Sequence, residues 1–132
     1  MFESLLTFAE EIGLVPIRKE QSGYIINSLL VPWCTAALEL LVRGVSDFES
    51  IDRTSMITLQ TGMGPFRHDG SYGPRCGVPR REVDWRTTPN TQALESARYV
   101  DEHFIQKGHL GIASGQGFYR YPDPAYAQAD FI

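Results

Sequence analysis

The sequence predicts a small all-α domain. Its 132 residues make room for one ordinary domain. Its composition, 42% apolar and 21% charged, is that of a globular chain able to bury a core. The most telling feature is one long stretch, residues 23–43, in which apolar residues recur at helical spacing.

The elements follow in order. Residues 2–12 read as a short amphipathic helix, with Leu5, Phe8, Ala9 and Ile12 along one face and Gly13 as its stop. Leu14, Val15, Pro16 and Ile17 form an extended apolar segment. In the long helix of residues 23–43, Ile26, Leu29, Leu30, Trp33, Ala36, Ala37, Leu40 and Leu41 mark the apolar face. Ser28, Thr35, Glu39 and Arg43 mark the polar stripe opposite. Val31, Leu38 and Val42 fall outside that face, so the helix is expected to be buried on most sides. Pro32 should bend it or remove a hydrogen bond, and Gly44 ends it.

Ser46 to Glu49 has the pattern of a capping box, with Ser46 as N-cap of a helix over residues 47–60. Gly62, Met63, Gly64, Pro65 and Phe66 force a turn. Residues 67–89 carry five of the ten arginines (67, 75, 80, 81 and 86) among Gly70, Gly73, Pro74, Gly77 and Pro79. They are expected to form a surface loop with one helical turn near residues 80–85. A last helix is expected over residues 91–106, with Ala93, Ala97, Val100 and Phe104 inward and Gly108 as its stop. The tail beyond is glycine-rich and aromatic.

Several function classes are disfavoured. A net charge of −4 is wrong for a dedicated nucleic-acid binder. No apolar run reaches the roughly 20 residues of a membrane-spanning helix. Acids near the start stand where a secretory signal would carry Lys or Arg. Cys34 and Cys76 make neither a disulfide framework nor a zinc site. A cytoplasmic protein is the expectation. No phosphate loop, nucleophile elbow, paired-histidine zinc motif or dinucleotide fingerprint is present.

The polar residues that remain have modest readings. His68, His103 and His109 are scattered and lack ligand spacing. Cys34 reads as a small core residue and Cys76 as a bystander thiol in a basic loop. The arginine cluster reads as a solvated loop before it reads as an anion site. Asn27, near the start of the long apolar helix, has two readings: a buried amide satisfying nearby backbone, or a donor–acceptor aimed into a site.

Five segments in order resemble the C-terminal part of 3-hydroxyacyl-CoA dehydrogenases. They are Gly23-Tyr24-Ile25-Ile26-Asn27 with Leu29, Leu30 and Pro32; Ile51-Asp52 after Gly44; Gly62-Met63-Gly64-Pro65-Phe66; Asp69 with Gly73; and Gly108-His109-Leu110-Gly111 through Ser114, Gly115, Gly117, Phe118, Tyr119 and Tyr121. Departures are Ser28, where many members have arginine, Ala113, where they have lysine, and residues 67–88, which lack an apolar helix pattern.

The resemblance implies a helical C-terminal domain over residues 19–132, preceded in residues 1–18 by the last helix and extended segment of a missing cofactor domain. It implies that the complete enzyme uses NAD to oxidise a (3S)-3-hydroxyacyl-CoA to the 3-oxoacyl-CoA. On that analogy Asn27 contacts substrate, orienting the thioester or hydroxyacyl oxygen beside a histidine of the other domain. This chain alone is expected to hold no catalytic, cofactor-binding or metal-binding residue, to bind no NAD, and to be inactive. A homodimer is implied, with acyl-CoA bound only together with the cofactor domain, and neither nucleic acid nor membrane as partner. Two alternatives stand beside it: a non-catalytic dimerisation module, and the same domain of a dehydrogenase acting on a non-CoA hydroxy acid.

Overall fold

The computed structural model describes residues 2–17, 23–72 and 91–132. Five α-helices follow one another: α1 (Phe2–Glu11), α2 (Ile25–Val42), α3 (Phe48–Leu59), α4 (Pro65–Tyr72) and α5 (Thr91–Val100). A π turn over Asp101–Ile105 prolongs α5, and short 3-10 turns occur at Ile112–Ser114 and Ala125–Ala127. Among the described residues no extended strand forms; Gln116 makes two isolated antiparallel bridges, to Gly111 and Arg120. The all-α expectation holds.

The core gathers side chains that are far apart in sequence. Ala37 and Leu38 of α2, Ile51 and Met56 of α3, Phe66 of α4 and Val100 of α5 meet Phe118, Tyr119 and Phe131 of the tail. Rings do much of the filling. Phe48 lies edge-on to Tyr119 at 5.1 Å, and Phe118 sits 4.6 Å from Phe66 and 4.4 Å from Phe104. Such tilted and edge-to-face pairs set the ring quadrupoles favourably while removing large apolar areas from water. The glycines of the tail make its closeness possible. A Cβ on Gly117 would lie 2.9 Å from the Gly111 Cα, nearer than two such atoms can come.

Three local expectations are corrected. The long helix is not buried on most sides. Its buried residues are Cys34, Ala37 and Leu38, whereas Ile26, Leu29, Val31 and Leu40 are exposed. A helix apolar nearly all round offers several faces, and packing against α3, α4 and α5 selects the one centred on Cys34 and Leu38. With 18 residues of mean hydropathy 1.8, α2 also comes closer to membrane-crossing length than the sequence reading allowed. Its C-terminal half supplies the buried residues of this helical body instead.

The second correction is the cap of α3. The N-cap is Asp47, not Ser46: one carboxylate oxygen accepts from the Ser50 backbone N–H at 2.9 Å and the other from the Ser50 hydroxyl at 2.8 Å. Asp competes on equal terms with Ser at this position, and here its reach fits. The third concerns the expected loop, whose first residues are helical. Arg67 to Tyr72 belong to α4, while residues 73–90, including Cys76 and the turn expected near 80–85, lie outside the described residues.

Candidate functional site

Asn27 is the third residue of α2, and it is exposed. It precedes Cys34 by seven residues, close to two full helical turns, so both lie on one face of the helix. That face is buried at Cys34, Ala37 and Leu38 and half-buried at Leu30. Asn27 therefore continues the packing face past the end of the packed body. Of the two readings its sequence leaves open, the buried amide is excluded in this chain. The polar stripe nearby turns inward on its own backbone, with the Ser28 and Thr35 hydroxyls donating to the Tyr24 and Val31 carbonyls at 2.9 and 2.8 Å. Those hydroxyls are thereby engaged, whereas Asn27 presents both a donor and an acceptor.

What holds the middle of α2 in place lies deeper. Asp52 of α3 is fully buried. Its carboxylate accepts from the backbone N–H groups of Phe66 and Arg67 at 2.8 and 2.9 Å and from the Tyr119 hydroxyl at 2.7 Å. Phe66 and Arg67 stand in the first turn of α4, where N–H groups have no partner within the helix. Asp52 is thus a cap supplied by another helix, and its negative charge sits at the positive end of the α4 dipole. Gly64 makes the approach possible, because a Cβ there would collide with the Asp52 carboxylate. The Cys34 thiol faces the Pro65 carbonyl at 4.0 Å, so α2 rests on the start of α4 that Asp52 fixes.

Burial pushes the Asp52 carboxyl above its ordinary value, against the opposing pull of its three donors and of the Arg67 charge. Burial and the neighbouring Asp52 charge push the Tyr119 hydroxyl far above the usual phenol range, so it remains a donor. Asp52 is sealed from solvent and its lone pairs are engaged, so its chemistry here is structural.

The other candidates fall outside any site. Of the five clustered arginines only Arg67 is described. It donates to the Gly62 carbonyl at 2.8 Å and lies over the Tyr126 ring at 4.3 Å, bracing the corner. His103 is exposed and stacks on Tyr99 at 4.2 Å. Among the described residues no three His, Cys, Asp or Glu side chains come close enough together to hold a metal. Sequence reasoning quoted Asp52 and Tyr119 but gave them no role. No local signal points to them, because the helix that Asp52 caps is not one the sequence predicts.

This fold is the helical part of known reductases and dehydrogenases. A solved diketoreductase, described for substrate-directed dual catalysis of dicarbonyl compounds, superposes with a TM-score of 0.71 and 40% identity, covering 91% of this chain and 41% of that one. (S)-3-hydroxybutyryl-CoA dehydrogenase from Ralstonia eutropha shares the fold with a TM-score of 0.69 at 21% identity, over 92% of this chain and 42% of that one.

Within that class the chain belongs to the family of the 3-hydroxyacyl-CoA dehydrogenase C-terminal domain, whose model matches residues 23–121. It is 30% identical over 122 residues to the human mitochondrial hydroxyacyl-coenzyme A dehydrogenase, which spans 91% of this chain and 38% of the relative. The chain thus covers about two-fifths of the length of such relatives.

Proposed function

We propose that this chain is the substrate-closing and dimerisation domain of an NAD-dependent (3S)-3-hydroxyacyl-CoA dehydrogenase, and that Asn27 contacts the substrate. The observation that carries this reading is the uncovered Asn27 on the packing face of α2, beyond the packed body. A neutral amide there can hold a thioester or hydroxyl oxygen without adding charge, and the Asp52 corner keeps its helix from drifting. Residues 1–18 then form the end of the cofactor domain and residues 19–132 the helical domain. The family match from residue 23 onward supports that division.

The complete enzyme would take NAD as hydride acceptor. A dinucleotide pyrophosphate needs a strand that leads into a glycine-rich turn, an arrangement not seen among the described residues, and the proposal assigns NAD binding to the other domain. A homodimer and a reducing compartment, the cytoplasm, complete the proposal.

The identity of 40% to a diketoreductase favours a second reading, the same domain working on a dicarbonyl or hydroxy acid without CoA. Reconstitution tests both. The chain joined to a relative's cofactor domain is expected to reduce NAD with 3-hydroxybutyryl-CoA, and the chain alone to give none. Turnover by the purified chain alone overturns the division of roles. Turnover of a diketone but not of the CoA ester by the joined protein selects the second reading.

A further inference from the structure

The first half of α2 offers few side chains that could hold a bound molecule by hydrogen bonds. Residues 23–38 carry no charge, and their polar side chains are Tyr24, Asn27, Ser28, Trp33, Cys34 and Thr35. The Ser28 and Thr35 hydroxyls donate to their own helix, Cys34 is buried and Trp33 is half-buried. Beside Asn27 that leaves Tyr24, which is 75% exposed. Tyr24 is the N-cap of α2 and Asn27 its third residue, the two positions whose side chains meet in a capping box. The two side chains are neighbours at the start of the helix. Tyrosine is not the residue a helix cap calls for, and here its side chain makes no bond to the first turn. Its backbone is held all the same. The Tyr24 carbonyl accepts from the Ser28 backbone N–H at 3.0 Å and from the Ser28 hydroxyl at 2.9 Å. Ser28 stands where many members of the family have arginine, so it anchors Tyr24 and brings no charge beside Asn27.

We propose that Tyr24 is a specificity-determining residue beside Asn27. Its phenol hydroxyl bonds a second oxygen of the substrate, so the favoured substrate is a hydroxyacyl group bearing a further hydroxyl or carbonyl oxygen. The inference rests on the reading of Asn27 as a substrate contact, and adds which substrates that site selects. A phenol hydroxyl donates and accepts, so it takes a hydroxyl or a carbonyl alike. The ring carries that hydroxyl farther from the backbone than asparagine carries its amide. The two groups therefore address different atoms of one molecule. A site that hydrogen-bonds a substrate oxygen discriminates sharply against the analogue without it, because the missing partner costs a hydrogen bond. An apolar contact at the same place gains or loses far less for one methylene.

The test uses the chain joined to a relative's cofactor domain. Its substrates are 3-hydroxybutyryl-CoA and the 2,3- and 3,4-dihydroxy analogues, each supplied also as the free acid. The joined protein is expected to prefer a dihydroxy analogue over the 3-hydroxy compound by about tenfold or more in kcat/KM. Tyr24→Phe keeps the ring and is expected to lower that preference roughly ten- to a hundredfold. Ser28→Ala should lower it in part, and Ser28→Thr, which keeps the hydroxyl, should restore it. Thermal unfolding checks that each variant is folded. A preference unchanged in Tyr24→Phe overturns the assignment and leaves the ring as a packing surface for the other domain. An equal loss on every substrate also overturns it, since Tyr24 would then touch a part they share. Asn27→Ala in the same protein separates the two readings. A loss of turnover there, with Tyr24→Phe indifferent, keeps Asn27 in the site and overturns Tyr24 alone. A joined protein inactive on every substrate overturns both.

Discussion

Asp52 and Tyr119, 67 residues apart in sequence, share a 2.7 Å hydrogen bond in the buried core. That bond joins the C-terminal tail to the corner between α3 and α4. The same carboxylate holds the first turn of α4, so three segments depend on one side chain.

Removing that side chain should therefore affect all three. Asp52→Ala leaves two backbone N–H groups and a phenol without an acceptor, and is expected to lower stability by about 3–5 kcal/mol. Tyr119→Phe takes away one donor and keeps the ring, for a loss of about 1–2 kcal/mol. Urea unfolding of both single variants and the double variant measures the coupling. The double variant should be scarcely less stable than Asp52→Ala alone, since the Tyr119 bond is already gone. Additive losses would show that the tail is held by ring packing and not by this bond.

Two acids of one helix should respond to pH with opposite signs. The exposed Asp47 carboxyl lies below its ordinary 3.8 because the Ser50 backbone N–H and hydroxyl donate to it. Its stabilisation is present above 3.8 and is lost as pH falls through the folded value. Asp52 is raised above 3.8 by burial, so the folded state holds its proton more tightly than the unfolded chain does. Its titration favours folding most below 3.8, and that share is lost as pH rises through the folded value. Between about pH 6 and pH 3 the gap in Tm between wild type and Asp47→Ala should close, while that between wild type and Asp52→Asn should widen. Gaps that move together would show that Asp52 does not titrate as a buried acid.

Gly64 tests the same corner through shape. A Cβ at that position would strike the Asp52 carboxylate and lie 2.7 Å from the Asp52 Cα, which is backbone and cannot swing aside. Gly64→Ala should cost about 2–4 kcal/mol, far above the usual effect of one added methyl group on a surface turn. Thermal unfolding measures it. A variant as stable as wild type would mean that α3 and α4 can separate without loss, and that the corner is not tight.

Much of this was legible in the sequence, and the failures have physical causes. The bounds of α1, α3 and α5 follow from apolar spacing and stop signals, which are local. The buried face of α2 was misjudged because Val31, Leu38 and Val42 make the helix apolar on every side, so no pattern singles out Cys34 and Leu38. Helix α4 went unseen because its own sequence is a poor helix former and its cap, Asp52, lies 14 residues before Phe66. Asn27 could be picked out as an amide on an apolar helix. Its exposure could not, since that depends on where α4 and α5 stop covering α2.

Asn27 supplies the last prediction, which separates positioning from structure. The residue is exposed and the described residues leave its face open, so Asn27→Ala should leave the Tm of the complete enzyme unchanged. If its amide orients the substrate oxygen, losing one positioning hydrogen bond should lower kcat/KM roughly ten- to a hundredfold, or about 1–3 kcal/mol. The loss should fall on kcat as well as KM, because an oxygen held out of line slows the hydride step even when the site is saturated. Asn27→Asp discriminates further. It keeps an acceptor and the side-chain shape but removes the amide donor and brings a negative charge towards an oxygen. It should therefore be no better than alanine if the amide donates. Recovery of activity with aspartate would show that Asn27 acts as an acceptor. A lowered Tm with full activity in the folded fraction would remove it from the site and make it part of the seam between the two domains.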